Sequence, residues 1–417
     1  MAQGSVSGQY VLGIDLGTTS VKAVLLETKT NRVTDSQTRQ TKADISSDTG
    51  IQAKEQDAGR IVDALNECIA ALPKYRLQGV IRIGVSGQMH GVVFWKAGKG
   101  CDWLRTGECH MFQPIDVSPL ITWQDGRCTR EFLSSLPLPD SHLSLATGFG
   151  CTTVFWYLKH SLRKAGFPMR LLPRVVESGS IAGETSSEWN GVPAHTPVGV
   201  ALGDCQCSVY SCMVEKTDAV LSISTSAQLT FALPPAFHPP QRPDPSSPLS
   251  YFPYFDSCYL AVAASLNGGN VLATFVGMLT EWIRELGLDI NSSTIYTQSI
   301  QAALNQHSTD LLISPTIFGE RHAPDHLGSA SSISAANVSL GHMTQALCRG
   351  IVQNLLSMLP PRRLQESGVQ RIMGSGNALS RNEVLKQEVE KAFPLPVVYG
   401  KDVDSAVGVA MILSDRI

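Results

Sequence analysis

The chain opens on two short apolar runs, residues 10–14 and 21–26, separated by Asp15 and the tight polar stretch Gly17-Thr18-Thr19-Ser20. That pattern predicts a β-hairpin with a hydroxyl-rich turn. A third strand follows over 32–41, after which Ile61, Leu65, Ile69 and Leu72 fall on one face of a helix spanning 57–72. Residues 79–85 supply another strand, which runs into Ser86-Gly87-Gln88-Met89-His90-Gly91 and continues over 92–95. The opening order is three strands, a helix and a strand.

The second half repeats this order with different letters. Residues 219–223, the turn Ser224-Thr225-Ser226 and residues 228–233 predict a second strand-turn-strand, followed by a strand over 259–264 and a helix after Gly268-Gly269. A longer helix over 340–359 places Met343, Leu347, Ile351, Leu355 and Met358 on one face, and Pro360-Pro361 ends it. A strand over 369–373 leads through Gly374-Ser375-Gly376 into a helix over 380–393, with Ser380 and Glu383 at capping-box spacing. A last helix starts near Asp404, and the Pro/Ser-rich segment 234–248 reads as an excursion loop. Two similar α/β halves predict two domains facing one cleft, divided within 214–218.

Composition narrows the classes. At 417 residues, 43% hydrophobic and 17% charged, the chain has apolar material for large cores and exceeds one domain of roughly 100–200 residues. A net charge of −3 lacks the basic surplus that binding a phosphate backbone requires, so nucleic acid is not an expected partner. The ten cysteines include no C-x-x-C pair, no apolar run approaches about 18 residues, and the N-terminus has no signal-peptide pattern. A cytoplasmic protein without a membrane partner is expected.

The first hairpin is the candidate for chemistry. No G-x-x-x-x-G-K-[ST] P-loop exists, and Gly374-x-Gly376 lacks the third glycine of a dinucleotide fingerprint. Gly17 permits backbone N–H groups to approach an anion, the three hydroxyl residues add neutral donors, and Asp15 can hold a hydrated Mg²⁺. An ordinary polar turn has the same letters; the matching Ser224-Thr225-Ser226 turn favours phosphate.

LGIDLGTTSVKA, GVSGQMHG, TWQDGR, GDCQCS, STSAQL and MGSGNALSRN, in that order, resemble the FGGY carbohydrate kinases of the actin-like ATPase superfamily. The resemblance implies an α/β fold of two actin-like (ribonuclease H-like) domains flanking a central cleft, with a sugar-binding domain over 8–215 and a nucleotide-binding domain over 216–417. It implies transfer of the γ-phosphate of ATP to a ketose hydroxyl, with ATP and Mg²⁺ as cofactors. The blocks GVSGQMHGVVFW, ASLNGGNVLATF, FGERH and ALSRNEVLKQEV are most similar to members acting on a seven-carbon ketose.

By that resemblance Asp15, Gly17, Thr18 and Thr19 bind the β- and γ-phosphates and order the metal, Lys22 helps neutralise phosphate charge, and Thr225 is the donor from the second turn. Asp204 matches the general base, with a second claim on the metal; its plain alternative is a helix N-cap. Gln206 reaches either the sugar or Asp204. Gln88, Met89 and His90 match the sugar loop, and Asp125 and Arg127 form a second sugar wall beside Trp123 if 123–127 is extended, so that alternate side chains share a face; a simple ion pair is the other reading. Gly268 and Gly269 match the phosphate approach at a helix start, and Gly374, Gly376 and Asn377 match the adenosine loop. Glu320 and Arg321 read as an internal pair, and Glu55-Gln56-Asp57 as a stretch near the sugar side or a helix cap.

One departure matters. After residue 159 the chain passes almost directly into Ala165-Gly166-Phe167-Pro168, omitting first-domain sheet and lid material that the family carries. The expected consequences are unpaired strand edge, exposed apolar surface and a weakened sugar site. The alternative function is accordingly a truncated, inactive relative that binds nucleotide. An actin-like chaperone or filament ATPase would share the phosphate turns but would not need TWQDGR or SGQMHG.

Overall fold

The computed structural model describes residues 8–47, 50, 52–106, 109–160, 174–400 and 403–415. The chain divides into two compact units, one of residues 1–139, 145–211 and 402–417, the other of 140–144 and 212–401.

The first unit is built on a seven-stranded sheet. Strands β1 (Tyr10–Leu16), β2 (Ser20–Glu27) and β3 (Arg32–Gln40) form an antiparallel meander, and Val80–Gly87 lies parallel to β1 on its other side. Beyond it come Pro197–Gly199 and the exposed strand Ile181–Glu184, while Leu202–Gly203 also pairs with Val80–Gly87. Tyr10, Leu12 and Ile14 share a core with Ile61, Leu65, Cys68 and Ile69 of helix α1 (Ala58–Ala70). Asp57 caps that helix, accepting from Gly59 N and Arg60 N.

The opposite face receives the chain's last helix, Ser405–Asp415. Gly13 and Gly84 stand opposite each other in the β1 register. A Cβ at Gly13 would lie 2.1 Å from Ala406 O, and one at Gly84 would lie 2.9 Å from Val409. Those two missing side chains are the seat of the helix. The expected second domain of 216–417 therefore differs from the second unit, because 402–417 packs on the first unit's sheet and the break falls at 211/212.

The second unit carries the same motif on a six-stranded sheet in the order Leu249–Pro253, Tyr259–Ser265, Ala227–Ala232, Asp218–Ile223, Arg371–Ser375, Val397–Tyr399. Asp218–Ile223 is antiparallel to its hairpin partner and parallel to Arg371–Ser375, as β1 is to β2 and to Val80–Gly87. Leu347, Ile351, Leu355 and Met358 of helix Leu340–Met358 join Leu221, Leu229 and Ile372 in its core.

Three elements depart from the sequence reading. Residues 92–95 do not continue a strand; Val92 and Trp95 make single bridges to Ile121 and Val117. The helix expected over 380–393 is two, Asn377–Arg381 and Glu383–Ala392, because the Asn382 side chain caps the second by accepting from Leu385 N. Leu249–Pro253 is an edge strand that the Pro/Ser content around it concealed. The omitted block next to Ala165-Gly166-Phe167-Pro168 borders residues outside those described.

Candidate active site

In the first unit, three strand ends bring the carboxylates together. Asp15 lies opposite Ser86, Ser86 lies opposite Leu202, and Asp204 follows two residues later as the first residue of helix Asp204–Cys212. Carboxyl ends of strands are where open α/β sheets bind ligands. Ser86 Oγ donates to Asp15 Oδ1 at 3.0 Å. Burial, then the charge of Asp204, raises the Asp15 pKa from 3.8 to about 6, with the Ser86 hydrogen bond opposing. Burial also lifts Asp204 above the usual carboxylate range, against hydrogen bonds from backbone N–H groups, including Cys205 N at 2.7 Å. Gly408 holds this helix in place, since a Cβ there would fall 1.8 Å from Cys207 O. Asp204 thus combines the helix-start position with a raised pKa.

The phosphate turn is closed by Gly17 N donating to Ser20 O at 3.1 Å. Thr19 is exposed, and Thr41 N donates to its carbonyl at 3.0 Å. The Thr18 carbonyl accepts from Gln56 Nε2 at 2.7 Å, and its hydroxyl accepts from the Trp123 indole at 3.1 Å. Lys22 stands opposite Asp15 in the hairpin, but its ammonium donates to Asp404. Asp404 also caps the last helix, accepting from Val407 N. The charge expected to meet phosphate is paired within the fold.

Around the sugar loop, Gln88 Nε2 donates to Gln56 Oε1 at 3.3 Å, while Gln88 Oε1 is buried without a protein partner. Gln206 Oε1 is likewise buried and unpartnered, and sits where a Cβ on Gly203 would meet both it, at 2.5 Å, and the Met89 thioether, at 3.0 Å. His90 has a left-handed backbone, φ 67°, and its ring stacks on Phe149 at 4.2 Å. Burial lowers its pKa, favouring the neutral imidazole.

Asp125 and Arg127 are not brought to a sugar wall. Residues 123–127 turn rather than extend, with Asp125 N bonded to Thr122 O. Asp125 is 1% exposed and accepts from Arg127 Nε at 2.9 Å and from Lys54 N at 2.9 Å. Arg127 reaches on to Glu55 at 2.6 Å and Tyr157 at 3.0 Å, and lies over the Trp156 ring. The pair is internal because each group's hydrogen-bonding capacity is taken up by protein; Trp123 and Gln124 are the exposed members of the segment.

In the second unit, Ser224, Thr225, Gly268, Gly269, Gly376 and Asn377 converge. Gly269 N donates to Ser224 O at 2.7 Å, Asn270 N to Thr225 O at 3.1 Å, and Asn377 N to Ser224 Oγ at 3.3 Å. Two amides at the start of helix Gly269–Glu285 are thus bound to the turn itself. Gly376, at φ 99°, lies so near Ile223 that a Cβ would fall 2.3 Å from its carbonyl. Gly374 packs under Tyr399. Beneath this turn, Glu320 accepts from Ser265, Asn267, Asn354 and Leu266 N rather than pairing with Arg321.

Sequence reasoning passed over Ser86, Thr41, Gln56 as a bridge, and Asp404. Ser86 lay inside the SGQMHG block; the others act through contacts distant in sequence, which local pattern does not encode.

The model of the FGGY family of carbohydrate kinases, N-terminal domain, matches residues 10–103. Sedoheptulokinase of Homo sapiens is 52% identical over 464 aligned positions, covering 97% of this chain and 97% of that protein. The Mus musculus sedoheptulokinase is 53% identical, with 98% of each covered. The 464 positions exceed this chain's 417 residues, so the human relative has stretches with no counterpart here. Among solved structures, xylulose kinase from Rhodospirillum rubrum matches with a TM-score of 0.76 at 16% identity, covering 97% of this chain and 89% of that one. Plasmodium falciparum glycerol kinase with ADP gives 0.72 at 14%, covering 98% and 90%. At these identities the structural likeness bears on fold alone.

Proposed function

We propose a specific reaction for this chain, which belongs to the FGGY family of carbohydrate kinases: transfer of the γ-phosphate of ATP to sedoheptulose, giving sedoheptulose 7-phosphate. It is an ATP-dependent carbohydrate kinase. Its near-full-length similarity to two sedoheptulokinases supports the choice of sugar. The nine cysteines whose side chains are described are all free thiols, in keeping with a reducing, cytoplasmic setting, and no described helix is long and apolar enough to cross a membrane.

The observation that carries the reading is the company kept by Asp15 and Asp204. Burial raises the pKa of both half-buried carboxylates, the charge of Asp204 adds to the rise at Asp15, and Gln88 and Gln206 each hold a buried, unpartnered oxygen in the same unit. Unpartnered acceptors cost about 1–3 kcal/mol each unless a ligand supplies donors, and a polyol presents hydroxyls. The Asp204 carboxylate accepts the proton of the attacking hydroxyl, and its raised pKa brings it nearer the range useful to a general base. Asp15 and Asp204 fit a hydrated Mg²⁺, which is commonly held by one or two carboxylates plus phosphate oxygens; among the described residues no cluster of three or more metal-ligating side chains competes. Bound Mg²⁺ and ATP supply charge neutralisation and the phosphoryl group. Gly17, Thr18 and Thr19 orient the phosphates, and Met89 and His90 close the sugar loop. In the second unit Thr225, Gly268 and Gly269 are the candidate phosphate approach, and Gly374, Gly376 and Asn377 the adenosine loop.

The truncated-relative reading keeps one supporting observation, the relative's stretches that have no counterpart here. One assay separates the two: ADP release by purified protein with sedoheptulose, xylulose, ribulose, glycerol or no sugar, alongside Asp204→Asn. Sedoheptulose-dependent turnover that falls about 10²–10⁴-fold in Asp204→Asn supports the kinase. ATP binding without turnover on any sugar supports the inactive relative, and sugar-independent hydrolysis opposes both.

A further inference from the structure

We infer that Gln56 is a positioning residue that sets the polarity of the sugar subsite by fixing which end of Gln88 faces the ligand. The inference rests on the kinase reading above and deepens it.

Gln56 is 1% exposed and uses both ends of its carboxamide. Nε2 donates to two acceptors, the Thr18 carbonyl at 2.7 Å and Asp44 Oδ1 at 2.9 Å. A flipped amide would set an oxygen against both, so Nε2 must point that way and Oε1 must point to Gln88. Gln88 meets that oxygen with its own Nε2 at 3.3 Å. Its Oε1 is then left buried and unpartnered, an acceptor held ready for a ligand donor. Without Gln56, the Gln88 amide can flip and offer N–H groups instead. The orientation therefore runs from an exposed carboxylate, Asp44, through two carboxamides to a sugar hydroxyl. The phosphate turn keeps a second hold when Gln56 is replaced, because Thr41 N and Oγ1 both bond the Thr19 carbonyl.

The test is a double-mutant cycle on ketose binding, read by calorimetry with sedoheptulose, together with ATP affinity and thermal stability. Gln56→Met keeps the side-chain length and removes the amide; Gln88→Met removes its target. Each single variant should weaken sedoheptulose binding about tenfold, the worth of one directed hydrogen bond. The double variant should also lose about tenfold rather than about a hundredfold, since both act through one contact. ATP affinity should stay within about twofold. Because Asp44 is exposed, Asp44→Ala is a variant that folds readily; it should weaken sedoheptulose binding about threefold, and only when Gln88 is present. Additive losses in the cycle, or a loss in Asp44→Ala that persists with Gln88→Met, would overturn the proposal. If the unmodified chain binds no ketose at all, the kinase reading falls first and this one with it, an outcome distinct from additivity.

Discussion

Asp15 carries a pH dependence that can be worked out in sign. Its folded pKa is about 6 against an ordinary 3.8, so the folded state holds a proton that the unfolded chain releases between those values. Asp15's contribution to stability is therefore fully present below about 4 and lost as the pH rises through about 6. Asp15→Asn keeps an acceptor for Ser86 and removes the buried charge. It should raise the melting temperature of the ligand-free protein at pH 7.5, by an amount worth up to about 3 kcal/mol, and the gap should close near pH 4. Melting curves of both proteins across that range measure it; equal curves at pH 7.5 would remove the case for a repelling carboxylate pair. Of the residues expected from the sequence, Asp15 stands near a strand end and Asp204 at a helix start, as their local sequence predicts. Asp125, Arg127 and Lys22 have partners that the motifs could not reveal, because Glu55, Tyr157 and Asp404 reach them only in the folded chain.

At the scale of elements, glycines decide how closely structures approach. Gly13→Ala would place a methyl 2.1 Å from Ala406 O and displace the Ser405–Asp415 helix. Overpacking of this kind costs about 1–3 kcal/mol, so the urea midpoint of the whole chain should fall accordingly. Because Gly408 of that helix also abuts Cys207, one turn from Asp204, the variant should lose turnover as well as stability. Gly376→Ala acts elsewhere. It forces a side chain into a left-handed position against Ile223, so ATP affinity should fall at least about tenfold while sedoheptulose affinity measured without nucleotide stays within about twofold. Equal loss of both would sink the assignment of 374–377 to the nucleotide. The strands and most helices were legible from apolar periodicity, whereas the break at Asn382 was not, since the Ser380/Glu383 spacing offered a cap that the chain does not use.

For the whole molecule, the repeated strand order and the order of motifs led to two α/β units of the FGGY type. The length of the chain bears on the first unit, whose sheet ends at an exposed strand. Ile181–Glu184 lies exposed at the end of the first sheet, with Ile181 48% and Val175 96% exposed. Activity is thus best compared with stability: restoring the relative's intervening stretch should raise the melting temperature and lower the KM for sedoheptulose. If neither changes, the shortened unit is sufficient as it stands.

The sequence by itself determined the family and the reaction class, and nominated the phosphate turns and the base proposed above, because these depend on short stretches whose letters act together. Only the tertiary structure decided that the last helix completes the first unit, that Arg127 and Lys22 are occupied, and that Gln56 orients Gln88. Each of these depends on which partners reach a buried group first, and burial removes the water that would otherwise leave the choice open.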